Sequence, residues 1–191
     1  MSGKYIVRQP IKDAEGNTIG HEILYHGANQ AFSSDNSTSS AEFAAANTIY
    51  SFLTQNSPKV LKGTLNFMTF TTMLLMKKTP RLFDKSDLVI QIDDAVIIHP
   101  LSMHLVQQYV REGYRIAVND FQFTPRYLAL LDDIHFIKIS VKTATEVTIR
   151  NTVEVAHSMN IKCIVTHIED ARTYERAVAL GADGLEGSYV A

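Results

Sequence analysis

The feature that most constrains this chain is a recurrence of short apolar runs, most of them followed by a segment of helical periodicity. The runs are KYIVRQPI at the start, TIGHEILYH around residue 22, TLNFMTF around 66, DLVIQID around 90, RIAVNDF around 118, FIKISV around 138, IKCIVTHI around 164 and DGLEGSYV around 187. From the third run onward they recur about every 20–27 residues, the size of one strand and one returning helix. Several runs are rich in β-branched residues and nearly continuous, as strands buried on both faces of a parallel sheet are. DAEGN separates the first two runs and suits a hairpin, which makes that opening pair antiparallel.

Between the runs, helices are predicted from Ser39 through Leu53, with Ser39 and Glu42 at capping-box spacing, and from His99-Pro100 to Glu112, stopped by Gly113. Two more are predicted over Thr143–Met159 and Asp170–Leu180, the second ended by Gly181. Eight strands with helical returns predict a modified (β/α)8 TIM-like barrel with an antiparallel first strand, one domain over 1–191. At 191 residues it is shortened relative to the usual ~250 of that fold, and it lacks the last helix. An open doubly wound sheet is the alternative, but no Gly-rich phosphate fingerprint follows any strand.

The single cysteine, Cys163, rules out an intrachain disulfide and, inside an apolar run, reads as an inert core residue. Eighteen basic against twenty acidic residues leave a net charge of -2, which gives no field for nucleic acid. Neither a secretory leader nor an apolar stretch of ~20 residues is present, so a cytoplasmic protein with no membrane role is expected. The seven histidines lack zinc-ligand spacing, and no G-x-S-x-G elbow occurs. Met68, Met73 and Met76 read as core filling, and Lys77, Lys78 and Arg81 form a basic patch too slight for DNA.

In such a barrel, chemistry is built at the C-terminal ends of the strands. Polar residues near those ends are Glu22, Asn66, Gln91, Asp94, Asn119, Asp120, Lys138, Thr166, Glu169 and Glu186. Lys138 stands out, because a lysine inside FIKIS must find a partner or reach water.

Six segments in order, RQPI at 8–11, HEILYH at 21–26, LNF at 65–67, VNDFQF at 118–123, IKIS at 137–140 and LEGSYV at 185–190, carry a resemblance to the EAL domain. Active members of that family are metal-dependent cyclic di-GMP phosphodiesterases, and the opening RQPI is most similar to the EAL half of proteins that pair this domain with an HDOD domain. The resemblance implies that Glu22 falls on the signature metal-binding glutamate, Asn66 on a ligand asparagine, Asp120 on the second aspartate of a pair, Lys138 on the active-site lysine and Glu169 on a supporting glutamate. It also implies losses: Gln91 replaces a metal-binding glutamate, Asn119 the first aspartate, Thr166 a glutamate or equivalent base, and Glu186 the glutamine of the closing motif. His26 stands where an arginine grips phosphate, and Ile23 interrupts the signature.

Two-metal hydrolysis needs clustered carboxylates around hard cations. Three carboxylates replaced by neutral groups remove the charge that offsets dehydration of those ions, about tenfold in affinity for each ~1.4 kcal/mol. The expectation is therefore a degenerate, catalytically inactive EAL-type domain with no metal and no bound cofactor, acting in bacterial signalling through protein contacts. Its expected partners are another protein, a following HDOD domain or a second copy, with the chain as the N-terminal part of a longer one and apolar surface uncovered near Val190. Two alternatives stay open: an active phosphodiesterase using Mg or Mn on Glu22, Asn66, Asp94, Asp120 and Glu169, and a sensor that binds cyclic di-GMP without cleaving it.

Overall fold

A computed structural model of the chain describes residues 5–26 and 63–191, with side chains of the first segment described over 7–24. Eight strands close into a barrel in sequential order. They are β1 (Tyr5–Lys12), β2 (Thr18–His26), β3 (Leu65–Thr69), β4 (Leu88–Ile92), β5 (Arg115–Val118), β6 (Phe136–Ser140), β7 (Lys162–Thr166) and β8 (Gly184–Leu185). As the DAEGN turn predicts, β1 runs antiparallel to β2, and it closes the barrel antiparallel against β8 through Lys12 and Leu185. All other pairings are parallel.

The α-helices among the described residues are α1 (Thr72–Met76), α2 (Asp94–Ile97), α3 (Ser102–Glu112), α4 (Pro125–Leu128), α5 (Glu146–Ser158) and α6 (Ala171–Ala179), with a 3-10 turn over Thr79–Leu82. Local chemistry sets their ends. Thr71, Thr145 and Asp170 accept backbone N–H bonds as N-caps of α1, α5 and α6, and Gly113 ends α3 at φ 95°. The helix predicted over 39–53 lies outside the described residues.

Strand alternation divides the core in two. Ile11, Phe67, Val89, Ala117, Phe136 and Ile164 meet inside the barrel and form an apolar plug, with Phe67 and Phe136 edge to face at 5.0 Å. The alternate residues, such as Met68, Ile90, Ile116, Ile137 and Val165, face outward and pack under the helices. Cys163 belongs to this outer layer, and burial pushes its thiol up to about 12.

Two expectations are corrected. Met73 and Met76 are not core residues: α1 is a single short helix that buries only Leu75, leaving them 44% and 54% exposed. Val190 does not mark bare apolar surface either, because the chain folds back after β8 and buries it, with its N–H bonded to the Gly187 carbonyl. That fold-back depends on Gly187, at φ 156°, where a Cβ would collide with the Ile168 backbone. Gly187→Ala should lower stability by about 3 kcal/mol or more, read as a fall in the thermal midpoint.

Candidate functional site at the barrel mouth

Above the apolar plug lies a polar layer drawn from distant strands. Lys138 of β6, only 1% exposed, places Nζ 3.1 Å from Oε2 of Glu22 on β2 and 2.8 Å from Oε2 of Glu186 just after β8. Its ammonium also sits 5.2 Å from the centroid of the Phe67 ring, which belongs to the plug beneath. The other oxygen of Glu22 accepts a 3.1 Å bond from the Gln91 amide nitrogen, which donates equally to Thr69 Oγ1. Gln91 is buried and its Oε1 has no partner among the described residues. A reversed amide would set that oxygen against the Glu22 carboxylate, so the charge of Glu22 fixes which way the amide points.

The two acids differ in protonation. Burial opposes ionisation of Glu22, but the Lys138 charge and hydrogen bonds from Glu186, Gln91 and Lys138 bring its carboxyl down to about 2. Burial and the hydrogen bond to Glu22 push Glu186 up to about 8, against the pull of Lys138. At neutral pH the cluster is therefore one carboxylate, one ammonium and one protonated carboxyl that donates to its neighbour.

A cavity of about 470 Å³ opens above this layer, bordered by Glu22, Asn119, Asp120, Thr166, His167, Glu169 and Glu186 among others. Its rim holds unusual backbone: Asp120 at φ 48° and His167 at φ 63° are left-handed without being glycine. Both strained residues border the cavity. The buried Ser140 hydroxyl fixes the His167 ring, with Oγ 2.9 Å from Nδ1, and Thr166 Oγ1 lies 3.0 Å from the same nitrogen.

The structure thus brings together Glu22, Gln91, Asn119, Asp120, Lys138, Thr166, Glu169 and Glu186. Asp120 and Glu169 are exposed at the rim, and Glu169 pairs with Lys142. Asp94 stands apart at the start of α2, accepting from the Tyr127 hydroxyl at 3.2 Å. Asn66 is not at the mouth. It shares the outward face of β3 with Met68, near the N-terminal end of the strand, and its amide donates to the carbonyls of Thr64 and Asp87. The β3 residue that reaches the polar layer is Thr69, three positions on and on the inward face with Phe67. The side chain of His26 lies outside the described set. Thr69, Ser140 and His167 were missed in the sequence; a threonine closing an apolar run just before a helix cap was the available signal for the first.

Glu22, whose two oxygens are already engaged, is the one ionised acid among the described residues of the polar layer, and its neighbours there are an amide, an ammonium and the protonated Glu186 carboxyl. Among the described residues no three His, Cys, Asp or Glu side chains are grouped to hold a metal ion. This donor set does not supply the clustered carboxylates that a pair of divalent cations requires.

A closed eight-stranded (β/α) barrel with a lysine–carboxylate cluster at the C-terminal ends of its strands defines the class. Residues 70–191, well over half of the chain, match the EAL domain family, and the chain belongs to it. It is 25% identical over 193 residues to YuxH of Bacillus subtilis (strain 168), and 24% identical over 142 residues to the cyclic di-GMP phosphodiesterase CdgJ of Vibrio cholerae. The alignments cover 97% and 74% of this chain, but it spans only 46% and 32% of those proteins. The solved PaMucR phosphodiesterase, in complex with c-di-GMP, superposes with a TM-score of 0.76 at 15% identity, over 96% of this chain and 93% of that one, a likeness of fold. No described helix is long and apolar enough to cross a membrane.

The two opposed pKa shifts predict a pH profile. Glu22, depressed below its ordinary 4.5, contributes stability present above that pH and lost as pH falls toward 2. Glu186, raised to about 8, contributes stability that is complete below 4.5 and lost as pH rises through 8. Glu186→Gln should abolish the alkaline loss: between about pH 5 and 9 the wild-type melting temperature falls relative to that of the variant. Parallel pH curves for the two proteins would contradict the assignment.

Proposed function

We propose that this EAL domain does not hydrolyse cyclic di-GMP and serves as a regulatory module that acts through protein contacts. The observation that carries this is the engagement of Glu22 by Lys138 on one oxygen and by the Gln91 amide on the other. A glutamate at position 91 would set two carboxylates about 3 Å apart, an arrangement that calls for a cation between them. Gln91 removes that call by supplying N–H groups itself. Asn119 removes a second charge at the rim and Thr166 a third. Without a metal pair, a water attacking phosphorus is not activated at neutral pH.

Binding without cleavage draws less support. The cations at the mouth, Lys138 and Lys142, are already held by Glu22, Glu186 and Glu169, and Asp120 is exposed on the same rim, so the described lining offers a phosphodiester no free cation. The contact partner we propose is another chain or domain: an effector such as an HDOD domain, a separate protein or a second copy.

Incubation with cyclic di-GMP and Mg²⁺ or Mn²⁺ is expected to yield no linear dinucleotide, and calorimetry no binding heat; turnover would overturn the proposal. The double variant Gln91→Glu with Asn119→Asp should bind Mn²⁺ at least about tenfold more tightly than wild type, each restored carboxylate being worth ~1.4 kcal/mol or more. An unchanged Mn²⁺ affinity would mean that these two positions do not govern metal binding.

A further inference from the structure

A second cavity, of about 680 Å³, opens at the opposite end of the barrel and is larger than the one at the mouth. Its apolar wall includes Leu65 and Phe136, the under-surface of the plug. Its rim comes from the N-terminal ends of parallel strands: Arg115 opens β5, His135 precedes β6 and Lys162 opens β7. The volume falls within the ~300–1,000 Å³ usual for small-molecule sites, and the mixture of apolar wall and a few convergent polar groups is what such sites have.

The donors on this rim are unspent. Arg115 gives one N–H to the Ser86 carbonyl at 3.3 Å, which steadies the guanidinium, and forms no ion pair among the described residues. Lys162 is exposed and likewise has no acid partner there. The Nδ1 of His135 accepts the Ile116 N–H at 3.1 Å, so the proton of the neutral ring resides on Nε2. Burial and the Arg115 charge hold that ring below its ordinary pKa, which favours the neutral form, and the Ile116 bond selects its tautomer. The acid on the rim, Asp183, is already committed: its Oδ2 accepts from the Cys163 N–H and lies 2.8 Å from His157 Nε2. Among the described residues of this rim, two fixed positive charges and the His135 N–H thus face one engaged carboxylate.

We propose that this cavity binds a small organic anion, its phosphate or carboxylate held by Arg115, Lys162 and the His135 Nε2–H, and its apolar or aromatic body laid on Leu65 and Phe136. Arginine offers the bidentate fork and lysine the point charge that such headgroups take. Two cations are too few for a polynucleotide. The site is independent of any activity at the mouth, from which the plug separates it.

The test uses the full chain with phenyl phosphate and benzoate as probes and phenol as the uncharged control. Calorimetry should find binding of at least one anion at submillimolar to millimolar concentration, with phenol at least about tenfold weaker. Arg115→Gln and Lys162→Ala should each weaken the anion about tenfold, whereas His167→Ala at the mouth should leave it unchanged. Ligand-free melting curves check that the variants fold, and because Lys162 is exposed, its variant decides the matter even if Arg115→Gln is unstable. Absence of binding by both anions, equal affinity in the Lys162 variant, or a loss with His167→Ala would each overturn the proposal.

Discussion

A buried ammonium held between two carboxyls is the interaction on which the upper half of this barrel depends. Lys138, Glu22 and Glu186 come from β6, β2 and the residue after β8, separated by 116 and 48 positions in sequence. Burying one ammonium and two carboxylates would leave an excess negative charge in a poorly solvated space, a cost that the attraction of a single cation does not offset. The proton on Glu186 resolves this. It removes one charge and converts carboxylate repulsion into a hydrogen bond, leaving a neutral, fully paired cluster. Because the three residues lie on different strands, the cluster forms only once the barrel has closed.

The layer below explains why the lysine stays. Phe67 and Phe136 pack edge to face across the barrel, and the ammonium rests over the Phe67 ring with water excluded from beneath. Gln91 then completes the polar layer sideways, joining Glu22 to Thr69. Its amide nitrogen spends one N–H on the Glu22 carboxylate and the other on the Thr69 hydroxyl. The bonds it gives to Glu22 and Thr69 tie β2, β3 and β4 together across the layer.

The fold was legible because its signals are local or periodic. Continuous β-branched runs announce doubly buried strands, DAEGN announces the hairpin, and a lysine within FIKIS announces a buried partner. Much of the site was legible through order and resemblance, but the role of Asn66 was not. In LNFMTF the run is apolar on both faces, so nothing in it says which parity points inward, and a register error of an odd number of residues reverses the face. Asn66 turns outward to bond carbonyls at the base, while Thr69, easily read as core, reaches the layer. The partnership of Ser140 with His167 crosses from β6 to the loop after β7 and leaves no trace in either segment alone. Val190 was misjudged for a related reason: β8 is two residues long, and the fold-back at Gly187 that buries the valine is set by contact with Ile168 rather than by pattern.

The two ends of the barrel carry opposite chemistry, and the same plug enforces it. Acids gather at the mouth, where Glu22 and Glu186 are bound to Lys138 and Asp120 and Glu169 sit at the rim. Cations with unspent donors gather at the base around Arg115 and Lys162. With a net charge of only -2 the chain as a whole steers nothing strongly, so attraction of charged ligands is decided by these local fields. An anion approaching the mouth meets acids whose cations are already spent within ion pairs, and one approaching the base meets a guanidinium and an ammonium without acid partners among the described residues. In a fold whose chemistry ordinarily belongs to the C-terminal ends of the strands, the placement of free donors at the other end shifts the capacity for anion recognition to the face usually given over to stability.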